Sequence, residues 1–211
     1  MAIRQCRVIA VEGTHASGKT TLVHALTSYY REHNVHVTCT DEPARSSPFM
    51  EEIVLHGNGT FDRAAELDAF GAQLTTHLRA ARNQRLLITD KTLLNVVAYA
   101  RLLLPPGDQR LVDAMQQLAA AAAPMYDAIF YTSDTYDPRQ PGDRFRDKVA
   151  DLQHAMDETL RQTAYETGLP LIEVPQGLTT CQRVAWISAR LDQTKWQATL
   201  TSPTYERPCP G

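Results

Sequence analysis

Apolar and polar positions along this chain follow two alternating rhythms. Short runs rich in β-branched and aliphatic residues, at 8–11, 35–40, 85–90, 128–132 and 169–174, read as buried strands. Between them the apolar residues recur at helical spacing. Residues 20–30 place Leu22, Val23, Leu26 and Tyr30 on one side of a helix. Residues 62–84 do the same with Ala64, Leu67, Phe70, Leu74 and Leu78. Further helices are predicted over 49–56, 92–104, 108–123, 149–167 and 179–192, with breaks at Pro105-Pro106-Gly107, Pro124 and Gly168. Five strands alternating with helices predict an α/β fold whose parallel sheet is covered on both faces. Right-handed crossovers then leave few topologies.

The exit of the first strand carries the sharpest chemical signal. Gly13, four residues, then Gly18-Lys19-Thr20 satisfy the phosphate-loop pattern, and a strand feeds it while a helix follows it. Gly13 and Gly18 allow backbone conformations that turn successive N–H groups inward onto phosphate oxygens. The helix start adds free donors and the positive end of its dipole. The nucleotide contacts are therefore expected from Gly13, Thr14, His15, Ala16, Ser17, Gly18, Lys19, Thr20 and Thr21, with His15 a solvated spacer rather than a catalyst. Lys19 reaches the β- and γ-phosphates of ATP in this pattern, and the Thr20 hydroxyl ligates Mg²⁺.

Two other strand exits carry carboxylates. The second ends in Asp41-Glu42-Pro43, and Pro43 disfavours helix at Glu42, so both acids stand where α/β sheets bind ligands. The third is an apolar run ending in Asp90, the pattern of a second phosphate-site motif that holds Mg²⁺; a helix cap is the competing role for this aspartate. After the fourth strand, residues 134–147 break all periodicity and contain Arg139, Arg144 and Arg146 among prolines and a glycine. Such a loop suits a lid whose arginines pair with phosphate oxygens, against a surface loop in which they pair with neighbouring aspartates.

The chain has 211 residues and a net charge of −3, enough for one domain with a sizeable core and no general attraction for nucleic acid or an anionic membrane. No apolar run is long enough to span a bilayer, and the first residues lack a signal core. Four scattered cysteines without a C-x-x-C pair read as reduced thiols, so a cytoplasmic protein is expected. The expected organisation is a kinase-like domain over 1–193, a lid over 134–148 and a proline-rich tail over 194–211. That tail either covers the site or packs on a second subunit, which leaves a homodimer open.

These residues support a family comparison. Over residues 5–190 the chain resembles P-loop kinases of nucleosides and nucleotides, most of all the ribosylnicotinamide-kinase-like group of AAA-type ATPase and kinase domains. The resembling pieces are Glu12-Gly13 through Thr21, Glu42-Pro43-Ala44-Arg45, Thr89-Asp90 with Ala98-Tyr99 beyond, and Asp143-Arg144-Phe145-Arg146. The resemblance implies a three-layer P-loop NTPase fold with sheet order 2-3-1-4-5, and it places Asp143 to Arg146 in the lid. Thymidylate and deoxynucleoside kinases commonly have Asp-Arg after the third strand, whereas Asp90-Lys91 stands here. Lys91 can supply the charge without bidentate geometry. Glu42-Pro43 is similar to deoxynucleoside kinases, whose glutamate there acts as general base, but the aromatic-rich acceptor pocket of those enzymes is not evident in this sequence.

The resulting expectation is ATP- and Mg²⁺-dependent phosphorylation of a hydroxyl on a nucleoside or related metabolite. Lys19, Thr20 and Asp90 would handle phosphate and metal, Glu42 (Asp41 as runner-up) the acceptor hydroxyl, and Arg144 and Arg146 the developing charge. Acceptor contacts are expected from Glu42, Lys91, Arg45 and Arg79, the last two being candidates for an acceptor that already carries a phosphate, as in nucleoside monophosphate kinases. A nucleotide-operated switch acting through a protein partner is the alternative class. No Asn/Thr-Lys-x-Asp guanine motif supports it; the fourth strand exits as Tyr131-Thr132-Ser133-Asp134-Thr135.

Overall fold

A computed structural model of the chain describes residues 6–14, 16–53, 61–134 and 153–192. The five strands are β1 (Arg7–Gly13), β2 (Val37–Thr40), β3 (Leu86–Asp90), β4 (Ala128–Thr132) and β5 (Leu171–Glu173). All pairings are parallel, in the order β2-β3-β1-β4-β5, as the resemblance implied. β1 is central: Ile9 stands between Ile88 and Ala128, and Val11 between Asp90 and Phe130. Val8, Ile9, Ala10 and Val11 are fully buried because helices cover both faces of this strand.

The helices are α1 (Lys19–Glu32), α2 (Pro48–Glu51), α3 (Arg63–Ala80), α4 (Leu93–Leu103), α5 (Gln109–Ala122), α6 (Gln153–Glu166) and α7 (Thr180–Asp192). On one face α1 and α7 pack Leu22, Val23, Leu26, Tyr30, Ile187 and Leu191 against Ile9, Val11, Ile88 and Phe130. On the other, α3, α4, α5 and α6 close a second core around Phe70, Leu93, Val97, Met115, Tyr131, Met156 and Leu160. The predicted helix over 49–56 begins with α2 at Pro48, its residues 54–56 lie outside the described residues, and a 3₁₀ turn over Pro43–Ser46 precedes it. Pro43 at the start of that turn has no N–H to lose there, and Glu42 keeps an extended ψ of 106°. Among the described residues, no helix is long and apolar enough to cross a membrane.

α3 lies in the β2–β3 crossover and α4 follows β3, and the directions of these two helices shape the cleft. α3 precedes β3 and runs antiparallel to it. Near the C-terminal end of α3, His77 meets the Tyr126 hydroxyl, and the same hydroxyl accepts from the Leu93 amide at the start of α4. At the opposite end Arg63, the first residue of α3, pairs with Asp108 just beyond α4. α4 therefore runs antiparallel to α3, and both extend beyond the strand ends where ligands bind in this class of sheet.

Candidate active site

The loop between β1 and α1 owes its shape to glycine and to side chains from other strands. Gly13 has φ +144°, and a Cβ there would lie 2.3 Å from the Thr132 carbonyl oxygen. Gly18, the N-cap of α1, is left-handed with φ 78°. Thr132 of β4 donates to the Ser17 hydroxyl at 3.0 Å, and Ser17 donates to the Thr14 carbonyl at 3.0 Å. Lys19 Nζ folds over the same loop, donating to the Thr14 carbonyl and to Ser17 Oγ. Burial and the neighbouring Lys91 charge pull the Lys19 pKa down to about 8. Thr14, Ser17 and Lys19 are buried, whereas Thr21 is exposed on α1. His15 lies outside the described residues.

Glu12 is the part of the site that motif reading misses. It is fully buried and accepts four hydrogen bonds: Oε1 from the Gly13 amide (3.1 Å) and Asn95 Nδ2 (2.7 Å), Oε2 from the Thr92 amide (2.8 Å) and hydroxyl (2.7 Å). Burial raises its pKa, while those donors and Lys19 pull it back. The carboxylate thus ties the first turn of α4 to the start of the phosphate loop. The available signal was a lone acid at the end of an apolar run. Arg183 is a second such anchor: from α7 it donates to the Ser17 carbonyl at 3.2 Å and to the Leu178 carbonyl, and it pairs with Asp134 at 2.9 Å. Nothing in its local sequence distinguishes it from a surface arginine.

Asp90 closes the third side. Its Oδ2 accepts from the Thr20 hydroxyl at 2.6 Å, while its buried Oδ1 has no hydrogen-bond partner among the described residues. The helix cap that competed for this aspartate is supplied by Thr92, whose hydroxyl accepts from the Leu94 amide. An aspartate oxygen left open beside a threonine hydroxyl is a hard, two-oxygen donor set, which fits a magnesium ion better than a softer metal.

Lys91 follows with a positive φ of 71° and pairs with Glu42 at 2.5 Å. Only 6% of the Lys91 side chain and 17% of the Glu42 side chain is exposed. The ammonium also lies 5.4 Å from the centre of the Tyr99 ring. Burial opposes the Lys91 charge, yet Glu42, Tyr99 and Asp90 outweigh it and raise its pKa, so the ammonium is fixed.

Several expected site residues go elsewhere. Asp41 faces away from Glu42: it is 77% exposed at its side chain and lies 3.4 Å from His24 of α1. Arg79 is exposed near the C-terminal end of α3, beyond Gln73, which bonds the Asp90 carbonyl. Six residues at 1.5 Å each carry Arg79 about 9 Å from Gln73 toward the strand N-termini, away from the cleft. This removes it as an acceptor contact. The Arg45 side chain, Arg144, Arg146, most of the expected lid and the tail over 194–211 lie outside the described residues.

No curated protein matches the chain. Among solved structures, NadR protein in complex with NR superposes with a TM-score of 0.68 at 19% identity, covering 98% of this chain and 54% of that one. A thymidylate kinase from Candida albicans gives 0.64 at 16% identity, covering 90% and 93%. One from Ehrlichia chaffeensis gives 0.57 at 17%, covering 88% and 98%. This chain spans about half the length of the NadR chains it matches. At these identities the likeness shows a shared fold. The family described as an AAA domain matches residues 8–180, and the chain belongs to that family of P-loop proteins.

Proposed function

We propose that this protein transfers the γ-phosphoryl group of ATP to a hydroxyl of a nucleoside or nucleoside-like metabolite. The observation that carries the reading is the buried Lys91–Glu42 pair beside the phosphate loop and Asp90. A hydrolysing switch needs only to position water; a carboxylate held in one orientation at the neighbouring strand end suits a second substrate.

Each residue then has a physical task. Loop amides and Lys19 receive the phosphate oxygens, which replace the Thr14 and Ser17 contacts that Lys19 makes within the loop. Thr20 and Asp90 would hold a magnesium ion, which would supply positive charge against the phosphate oxygens. Glu42 accepts a hydrogen bond from the acceptor hydroxyl and takes its proton as the oxygen attacks phosphorus and the γ–β bridge breaks. Lys91 fixes the orientation of Glu42. Arg144 and Arg146, through the sequence resemblance, balance charge on the transferred group.

An acceptor that is already a monophosphate is less well served, because Arg79 points away from the cleft and Lys91 is committed to Glu42. Glu42→Gln tests the reading. Turnover should fall about 100-fold or more with nucleotide affinity unchanged. An equal loss of turnover and nucleotide affinity would make Glu42 structural and remove the assigned base.

A further inference from the structure

Glu66 sits in the first turn of α3 and is fully buried. Neither of its carboxyl oxygens has a hydrogen-bond partner among the described residues. Buried polar side chains in native proteins are almost always partnered, so a carboxyl with both oxygens open calls for a reason. The nearby cations do not provide one. Arg63 pairs with Asp108, and Lys91 pairs with Glu42.

Its place in the fold is specific. Gln73 lies seven residues on, nearly two helical turns and so on the same face, and donates to the Asp90 carbonyl at 3.2 Å. At 1.5 Å per residue, Glu66 stands about 10 Å farther out than Gln73. Because α3 runs antiparallel to β3, that direction is past the strand ends, between α3 and α4. Ala44, Met50, Phe70 and Tyr99 share the apolar cluster there. The Tyr99 phenol, buried beside Lys91, feels the charges of Glu42, Glu12 and Glu66 together, which puts Glu66 in the field of the hydroxyl-binding pair. Phe70 and Tyr99 are aromatic surfaces suited to a flat ring.

We propose that Glu66 selects the acceptor, accepting a hydrogen bond from a ring or amide N–H of the nucleoside whose hydroxyl meets Glu42. This rests on the kinase reading above. Discrimination follows from burial: an acceptor without the N–H leaves the carboxyl as open as it is now, and a buried group built to bond a donor rejects the analogue lacking it.

The test uses nucleoside pairs in which methylation removes the N–H donor: uridine with 3-methyluridine, inosine with 1-methylinosine, and adenosine with N6,N6-dimethyladenosine. Transfer from ATP and direct calorimetric binding are measured for the wild type, Glu66→Gln and Glu66→Leu, with melting temperatures alongside. The wild type should favour the N–H member of its preferred pair at least tenfold in both kcat/KM and Kd. Glu66→Gln, which keeps a carbonyl acceptor, should retain part of that preference. Glu66→Leu, which fills the volume without a polar atom, should level the pair to within about twofold without lowering the melting temperature. Equal use of both members by the wild type, or a preference that survives Glu66→Leu, would overturn the assignment. So would a fall in melting temperature with acceptor preference unchanged, which marks a structural carboxyl. If the wild type phosphorylates no nucleoside at all, the kinase reading itself fails, a result distinct from the others.

Discussion

Replacing Lys91 with methionine isolates the interaction on which the proposed acceptor side of the site depends. The ammonium is 2.5 Å from Glu42, with 6% and 17% of the two side chains exposed. Methionine keeps most of the volume and removes the charge, so Glu42 is left in a largely desolvated place with its ion partner gone. Removing one member of a buried pair costs about 3–5 kcal/mol, and partial exposure of Glu42 argues for the lower end, about 3. For a domain near 200 residues each kcal/mol moves the melting temperature by roughly 2–4 °C, giving an expected drop of about 6–12 °C. Replacing both partners, Lys91→Met with Glu42→Gln, leaves neither position charged and should recover most of that loss. The assay is thermal unfolding of the four members of the double-mutant cycle at pH 7. Coupling of about 2 kcal/mol or more is expected. Additive effects within about 0.5 kcal/mol would show that the two side chains do not depend on each other, and the placement of Glu42 by Lys91 would have to be abandoned.

Other expectations follow from the loop and the buried acids. Lys19, pulled down to about 8, regains a proton when phosphate oxygens surround it, so nucleotide binding should take up about half a proton at pH 8, rise toward one near pH 9 and weaken as pH rises further; calorimetry in buffers of different ionisation enthalpy reads this, and zero uptake would count against the contact. Gly13→Ala places a Cβ 2.3 Å from the Thr132 carbonyl at a φ of +144°, and nucleotide binding should drop by at least tenfold, whereas an unchanged Kd would mean the loop tolerates another shape. Glu66 has its pKa raised to about 8 by burial and Asp62. The folded state therefore holds a proton that the unfolded chain releases near 4.5, and stability falls as pH climbs from about 4.5 to 8, by up to about 5 kcal/mol from this group. Glu66→Gln should flatten that part of the melting-temperature profile, and an identical profile would contradict the unpartnered burial.

The strands and main helices were legible because their residues obey one period each. β1, with four consecutive fully buried aliphatic residues, cannot be mistaken for an amphipathic surface strand. Gly13 and Gly18 were legible because the loop needs backbone shapes that other residues resist. The long-range contacts were not. Glu42 and Lys91 are 49 positions apart, and the pair exists only because β2 and β3 lie side by side. Glu12 and Arg183 are single charged residues whose roles come from tertiary burial: one is tied to Thr92 and Asn95, the other to Ser17. Arg79 illustrates the converse. Its charge suggested an acceptor contact, yet helix direction carries it to the far end of α3, since sequence proximity to a cleft-lining helix does not fix which end faces the ligand.

The most direct measurement is a phosphate-transfer screen with ATP and Mg²⁺ against nucleosides, nucleoside monophosphates and sugar-like alcohols, read by mass. The account predicts an acceptor heavier by one phosphate, found among the nucleosides, and no product from Lys19→Ala of unchanged melting temperature. ATP cleaved only to free phosphate, with every acceptor mass unchanged and stimulation coming from a protein partner, would contradict the kinase reading and make the chain a nucleotide-driven switch.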